Sequence, residues 1–228
     1  MQQRARNTAI LAVLVGSLLL TLGSAKLFAA PKLSPKPQGA EIAFVAGLQA
    51  DLGKRFATIA EAEKAGYFRY TNEDNTGSIS YANLSWTSAD PAHPSQLWYD
   101  VHGNFLGADF SVPFVKGKRP TLWGVNPARW MHFGEHLHYI LRGADGKDIY
   151  HGTSLKKFVA AGGSATAPAA TTLVSMGLAK SASDVVRVFV FPNIWDLVVW
   201  VKPNPSGAFA DMNPLVKPSK GAGMDDGM

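Results

Sequence analysis

From Tyr67 to Lys202 the chain is a succession of short aromatic and β-branched segments, each closed by Gly, Pro, Asn or Asp, and this texture restricts it to a β-rich fold. Candidate strands run over 67–71, 78–86, 96–101, 105–114, 135–142, 184–191 and 194–202. The last two, joined at Pro192-Asn193, are the most apolar and read as core strands. Asp145-Gly146 is the dipeptide that favours a two-residue type I′ turn, which makes 135–142 the first arm of a hairpin.

Helices are expected at two places, one ahead of this stretch and one within it. Between Ala40 and Ala65 the apolar residues Val45, Leu48, Leu52, Phe56, Ile59 and Ala60 recur at three- and four-residue spacing, which places one stripe against a core. Thr58 followed by Glu61 has the spacing of a capping box and Gly66 that of a stop, so a second N-terminus is expected inside this stretch, with Gly53 as a candidate break. A further pair of short helices is expected over 154–161 and 171–179. The fold class is therefore α+β: an antiparallel, sandwich-like or strongly curved sheet of about seven strands with N-terminal and inserted short helices.

The ends of the chain read differently. Arg4 and Arg6 precede an apolar run from Ala9 to Leu22, and Gly23-Ser24-Ala25 supplies the small residues a signal peptidase accepts. Residues 1–25 are expected to be a signal peptide, 26–39 a proline-rich linker, 40–218 a single β-rich globular domain and 219–228 a disordered tail. The destination is periplasmic or secreted, with membrane contact only through the signal segment if it is retained. There is no cysteine, so a lipid-modified cysteine and a disulfide framework are both excluded.

Composition narrows the function classes. Apolar residues make up 46% and charged residues 17%, which is the balance of a folded body. The formal charge of +5 includes two cations of the signal segment, and the remaining Lys and Arg are scattered without a stripe that tracks phosphates, so nucleic acid is not expected as a partner. No nucleophile elbow and no Gly-rich phosphate loop is present.

One segment concentrates ligand-type side chains: Met131-His132-Phe133-Gly134-Glu135-His136-Leu137-His138-Tyr139. On a strand, His136, His138 and Ile140 share one face and Leu137, Tyr139 and Leu141 the other. With the two-residue turn at Asp145-Gly146, Ile140 faces His151, so His151 joins His136 and His138, and His132 approaches from the preceding loop. Such imidazoles suit Zn, Cu, Fe or Ni. A one-residue slip sends His151 to the far side. A cupin motif is not met, because the first acidic residue after His138 is Asp145, in the turn.

Other candidates are Trp98, Trp123, Trp130, Trp195 and Trp200 as pocket walls or core, and Arg129, Arg142 and Arg187 as anion ligands or surface charges. Asp196 shares a face with Trp200 and is either a surface carboxylate or a buried, partnered one.

The landmarks Ala57 to Tyr67, Tyr81-Ala82-Asn83, Gln96 to Asp100, Leu106 to Pro113, Leu122-Trp123-Gly124 and the ending Asn204-Pro205-Ser206-Gly207-Ala208-Phe209-Ala210-Asp211-Met212-Asn213-Pro214 resemble a family of uncharacterised exported bacterial proteins that end in NP-x-G-x-F-x-x-x-NP. The resemblance spans Phe56 to Val216 and implies export and fold, with no assigned activity. The family carries histidine where this chain has Ser80 and either Leu197 or Val198, and Trp where it has Met212.

Three functions are compatible with these residues. The first is an exported binding protein with a transition metal or small ligand on the His136/His138/His151 face. The second is a metal-dependent enzyme using the same histidines, with Glu135 or Tyr139 assisting. The third is a structural or interaction module without a site.

Overall fold

A computed structural model describes residues 33–87 and 89–223. The expected signal peptide lies outside them, as do the start of the linker and the end of the tail. The described residues belong to one compact unit.

α1 (Ala40–Arg55) is the expected amphipathic helix, with Val45, Leu48 and Leu52 buried. It stops at Phe56 rather than at Gly53, and α2 (Ile59–Lys64) restarts from the Thr58 cap with both halves of the Thr58/Glu61 capping box formed. Gly66 then takes φ 90°, the left-handed conformation that ends a helix without a Cβ penalty.

Among the described residues nine antiparallel strands follow: β1 (Phe68–Arg69), β2 (Ile79–Ala82), β3 (Gln96–Tyr99), β4 (Phe105–Pro113), β5 (Met131–Phe133), β6 (His136–Arg142), β7 (Asp148–Thr153), β8 (Val185–Phe191) and β9 (Ile194–Trp200). They form two sheets: six strands in the order β1-β2-β3-β4-β9-β5, and three in the order β7-β6-β8. The fold is α+β as expected, and the apolar 184–202 stretch divides between the sheets at Pro192-Asn193, with β8 in the small sheet and β9 beside β4 in the large one.

Period-two alternation explains the layers. One face of the large sheet carries Tyr81, Leu97, Tyr99, Ala108, Phe110, Leu197 and Val199, which pack with the apolar stripe of α1. The face of the small sheet bearing Leu137 and Tyr139 is covered by α3 (Leu155–Ala160) and α4 (Ala170–Ser175), through Leu155, Phe158 and Leu173. The remaining two faces meet each other, with Tyr70, Ala82 and Ile194 against Phe189 and Phe191. Within the large sheet Gly107 lets the Trp98 ring lie close over β4, since a Cβ there would lie 2.5 Å from the Val199 carbonyl oxygen and 2.6 Å from the Trp98 ring.

Two boundaries differ from expectation. Residues 33–39 are bonded into the body rather than acting as a spacer: Arg129 donates to the Ser34 carbonyl (2.9 Å) and Phe209 to that of Pro35 (2.9 Å). At the other end Ser219 and Gly223 donate to Glu73, so the first residues of the expected tail are held in place. Among the described residues no helix is long and apolar enough to cross a membrane.

Candidate functional site

His136 and His138 lie on the inner face of the small sheet, where the alternation of β6 places them. Directly opposite on β8 are Phe191 and Phe189, and each imidazole stacks on its cross-strand partner, at 5.3 Å and 5.4 Å between ring centroids. The two imidazole centroids are 4.8 Å apart, and the ring of Tyr70, which follows β1, meets that of His138 in a T-shaped contact at 4.8 Å between centroids. His136 Nδ1 is 2.9 Å from the Gly134 carbonyl oxygen, which makes that nitrogen the donor and leaves Nε2 with the lone pair. His138 is 5% exposed, and its Nδ1 is buried without a hydrogen-bond partner. Burial, then the neighbouring His136, pushes its pKa down to about 3, against a hydrogen bond to the His151 backbone. The ring is neutral at any ordinary pH.

The expected third member is elsewhere. The hairpin pairs Tyr139 with His151 and Ile140 with Tyr150, one residue off the expected register. His151 therefore points to the opposite face and stacks on Tyr139, at 5.1 Å and 24° between planes. The turn explains the slip. Gly146 donates to the Gly143 carbonyl (2.9 Å) and Gly143 to that of Lys147 (2.7 Å), closing a loop over Ala144, Asp145 and Gly146. Gly146 takes φ 78°, but Asp145 stays out of the positive-φ region that a type I′ turn would demand of it. Asp145-Gly146 here ends a type I turn with a bulge instead of forming the turn itself.

His132 is also remote from the pair. It sits on the exposed edge strand β5, stacked on Phe114 at 3.9 Å and bonded to Asn193 Oδ1 at 2.7 Å. Glu135 is exposed in the link between β5 and β6. Tyr139 is on the helix-covered face with its hydroxyl pKa raised by burial. Among the described residues no three His, Cys, Asp or Glu side chains are grouped to hold a metal ion. The sequence-expected set His132, His136, His138 and His151 thus reduces to one adjacent pair, His136 and His138.

Opposite this pair the large sheet presents polar residues that the sequence reading did not assemble. β4 alternates Gly107, Asp109, Ser111 toward the inner side, and β9 alternates Asp196 and Val198 beside them, with Ser111 across from Asp196 and Asp109 across from both Val198 and Gln96. All four polar side chains are buried. Trp98 Nε1 donates to Asp109 Oδ2 (3.2 Å), Ser111 Oγ donates to Asp196 Oδ1 (2.8 Å), and Ser95 Oγ lies 2.7 Å from Ser111 Oγ. Tyr70 bridges the layers, its hydroxyl bonded to Gln96 Oε1 while its ring meets His138. Asp109 Oδ1 is buried without a hydrogen-bond partner.

Burial dominates the electrostatics here. It raises the Asp109 pKa well above 3.8, helped by the charge of Asp196, and pushes Asp196 up to about 7 against the Ser111 hydrogen bond. The same burial, with both carboxyls nearby, keeps the Tyr70 phenol neutral. Asp196 is the buried, partnered alternative of its two sequence readings. The detectable sequence signal was the Gly107-x-Asp109-x-Ser111 alternation, which by itself reads as a solvent-facing side.

Two clefts, of about 360 and 380 Å³, lie elsewhere, lined in part by Ile42 and Val45 of α1 and by Glu41 and Arg129 respectively. No protein family, no curated protein and no solved structure matches the chain.

Proposed function

We propose that the chain is an exported binding protein, periplasmic or secreted, whose ligand is held between the two sheets by the His136/His138 pair beside Tyr70. The observation that carries this reading is the Nδ1 atom of His138: a buried nitrogen without a partner, on a ring held neutral. Leaving a buried polar atom unsatisfied costs about 1–3 kcal/mol, a cost that a ligand would recover. A neutral imidazole offers a lone pair, so the occupant is a lone-pair acceptor, either a transition-metal ion (Zn, Cu, Fe or Ni) or an N–H or O–H group of a small molecule. The Arg4/Arg6 n-region, the apolar run and the Gly23-Ser24-Ala25 end support export.

Untagged protein recovered from an exporting host tests the proposal by elemental analysis and native mass spectrometry side by side. The expected result is one metal ion or one small-molecule adduct per chain, absent from His138→Ala and kept by His151→Ala. Protein that carries neither and takes up neither Zn²⁺ nor Cu²⁺ on reloading sinks the reading.

A further inference from the structure

Asp109 and Asp196 present a different problem from the imidazoles. Both carboxyls are buried, at 6% and 3% exposure, on adjacent strands of the large sheet. Among the described residues neither forms a salt bridge with Lys, Arg or His. Removing an unpaired carboxylate from water is among the most expensive substitutions a fold can carry, so each must be neutralised by a proton or by a cation. Their neighbours on the same face are oxygen donors, the Gln96 amide oxygen and the Ser111 hydroxyl, and Asp109 Oδ1 has no bond to give up.

We propose that Asp109 and Asp196 bind a hard divalent cation, with the side-chain oxygens of Gln96 and Ser111 completing an all-oxygen set. Two carboxylates supply the charge, and neutral oxygens fill the remaining positions, which is the ligand chemistry of Ca²⁺ and Mg²⁺ rather than of the nitrogen-seeking metals. The register makes the pairing possible: Asp196 sits opposite Ser111, and Asp109 is the next residue on the same face of β4, a diagonal cross-strand neighbour. The site is on the opposite sheet from His136 and His138 and does not depend on the ligand proposed for them.

The test is thermal unfolding of chelator-stripped, full-length protein at pH 8 with Ca²⁺ or Mg²⁺ added. A saturable rise in Tm of about 5 °C is expected, from mass action on a chain of this size. The Asp109→Asn, Asp196→Asn double variant, which keeps shape and removes the charge, should not respond, whereas His138→Ala should respond like the unaltered chain. No shift with either ion, or an equal shift in the double variant, overturns the proposal and leaves a proton as the neutralising partner. Equilibrium dialysis against Ca²⁺ at pH 8 reads the same point without a variant: one ion per chain supports the site, and none refutes it.

Discussion

Tyr139 faces His151 directly across the β6–β7 ladder, with their rings stacked at 5.1 Å, on the side of the small sheet that α3 and α4 cover. This pairing is what separates His151 from His136 and His138. It makes His151 a packing residue of the hairpin, and His151→Ala should lower stability by about 0.5–1.5 kcal/mol, the worth of an aromatic pair. Urea unfolding measures the loss, and the occupant of the His136/His138 pair should be unaffected. A variant that loses the occupant with stability intact would contradict the observed register.

The buried titratable groups bend stability with pH in opposite directions. In the presence of a chelator, Asp196 has an unfolded pKa near 3.8 and a folded one of about 7, so the stability it contributes is complete below about pH 4 and is lost as pH rises toward 7. Asp109, its pKa also raised by burial, acts in the same sense. His138 is depressed from 6.5 to about 3, so it costs stability as pH falls through that window. Each group contributes a slope of at most about 1.4 kcal/mol per pH unit. His138→Phe should therefore become less stable from pH 4 to pH 7, and the double Asp→Asn variant less stable from pH 6.5 to pH 3. Urea midpoints across pH 3–8 read both slopes, and parallel curves for the two variants would contradict the assignment.

Glu41 and Arg129 form a bidentate ion pair, at 2.6 and 2.7 Å, with side-chain exposures of 3% and 5%. Burial alone would raise the Glu41 pKa, but the Arg129 bonds and the backbone N–H groups of Asn126 and Gln38 hold it below the usual value. Arg129 also stacks on Phe209 and donates to the Ser34 and Lys36 carbonyls, fastening the start of the described chain. Arg129→Met should cost about 3–5 kcal/mol by leaving a buried charge alone, and adding Glu41→Met should restore part of it. Chemical denaturation of the single and double variants decides this, and an additive loss would show that the pair is not coupled.

Gly107→Ala places a methyl group 2.5 Å from the Val199 carbonyl oxygen and against the Trp98 ring. Since Trp98 bonds Asp109, the strain should reach the acid pair: stability falls by about 1–3 kcal/mol, and tryptophan fluorescence shifts as Trp98 moves. Unchanged fluorescence with full stability would contradict the tight packing of Trp98 and β9 around Gly107.

Much of the architecture was legible in the residue pattern. Thr58 and Glu61 announced the second helix because capping is a local event, settled within four residues. The alternation of β6 placed His136 and His138 on one face because period two is a property of a single strand. The partner strand was less legible: Asp145-Gly146 fits both a two-residue and a three-residue loop, and the two place His151 on opposite faces. Asp109 and Ser111 were less legible still, because a polar stripe on a strand looks the same whether water or a second sheet covers it.

By itself the sequence determined the α+β class, the positions of most strands and helices, and the shared face of two histidines, since these depend on interactions between residues close along the chain. Only the tertiary structure decided that His151 turns away and that Tyr70, Gln96, Asp109 and Asp196 are buried in one inner layer. Those outcomes depend on hairpin register and on the packing of two sheets, where residues 85 positions apart, such as Ser111 and Asp196, come within hydrogen-bond reach.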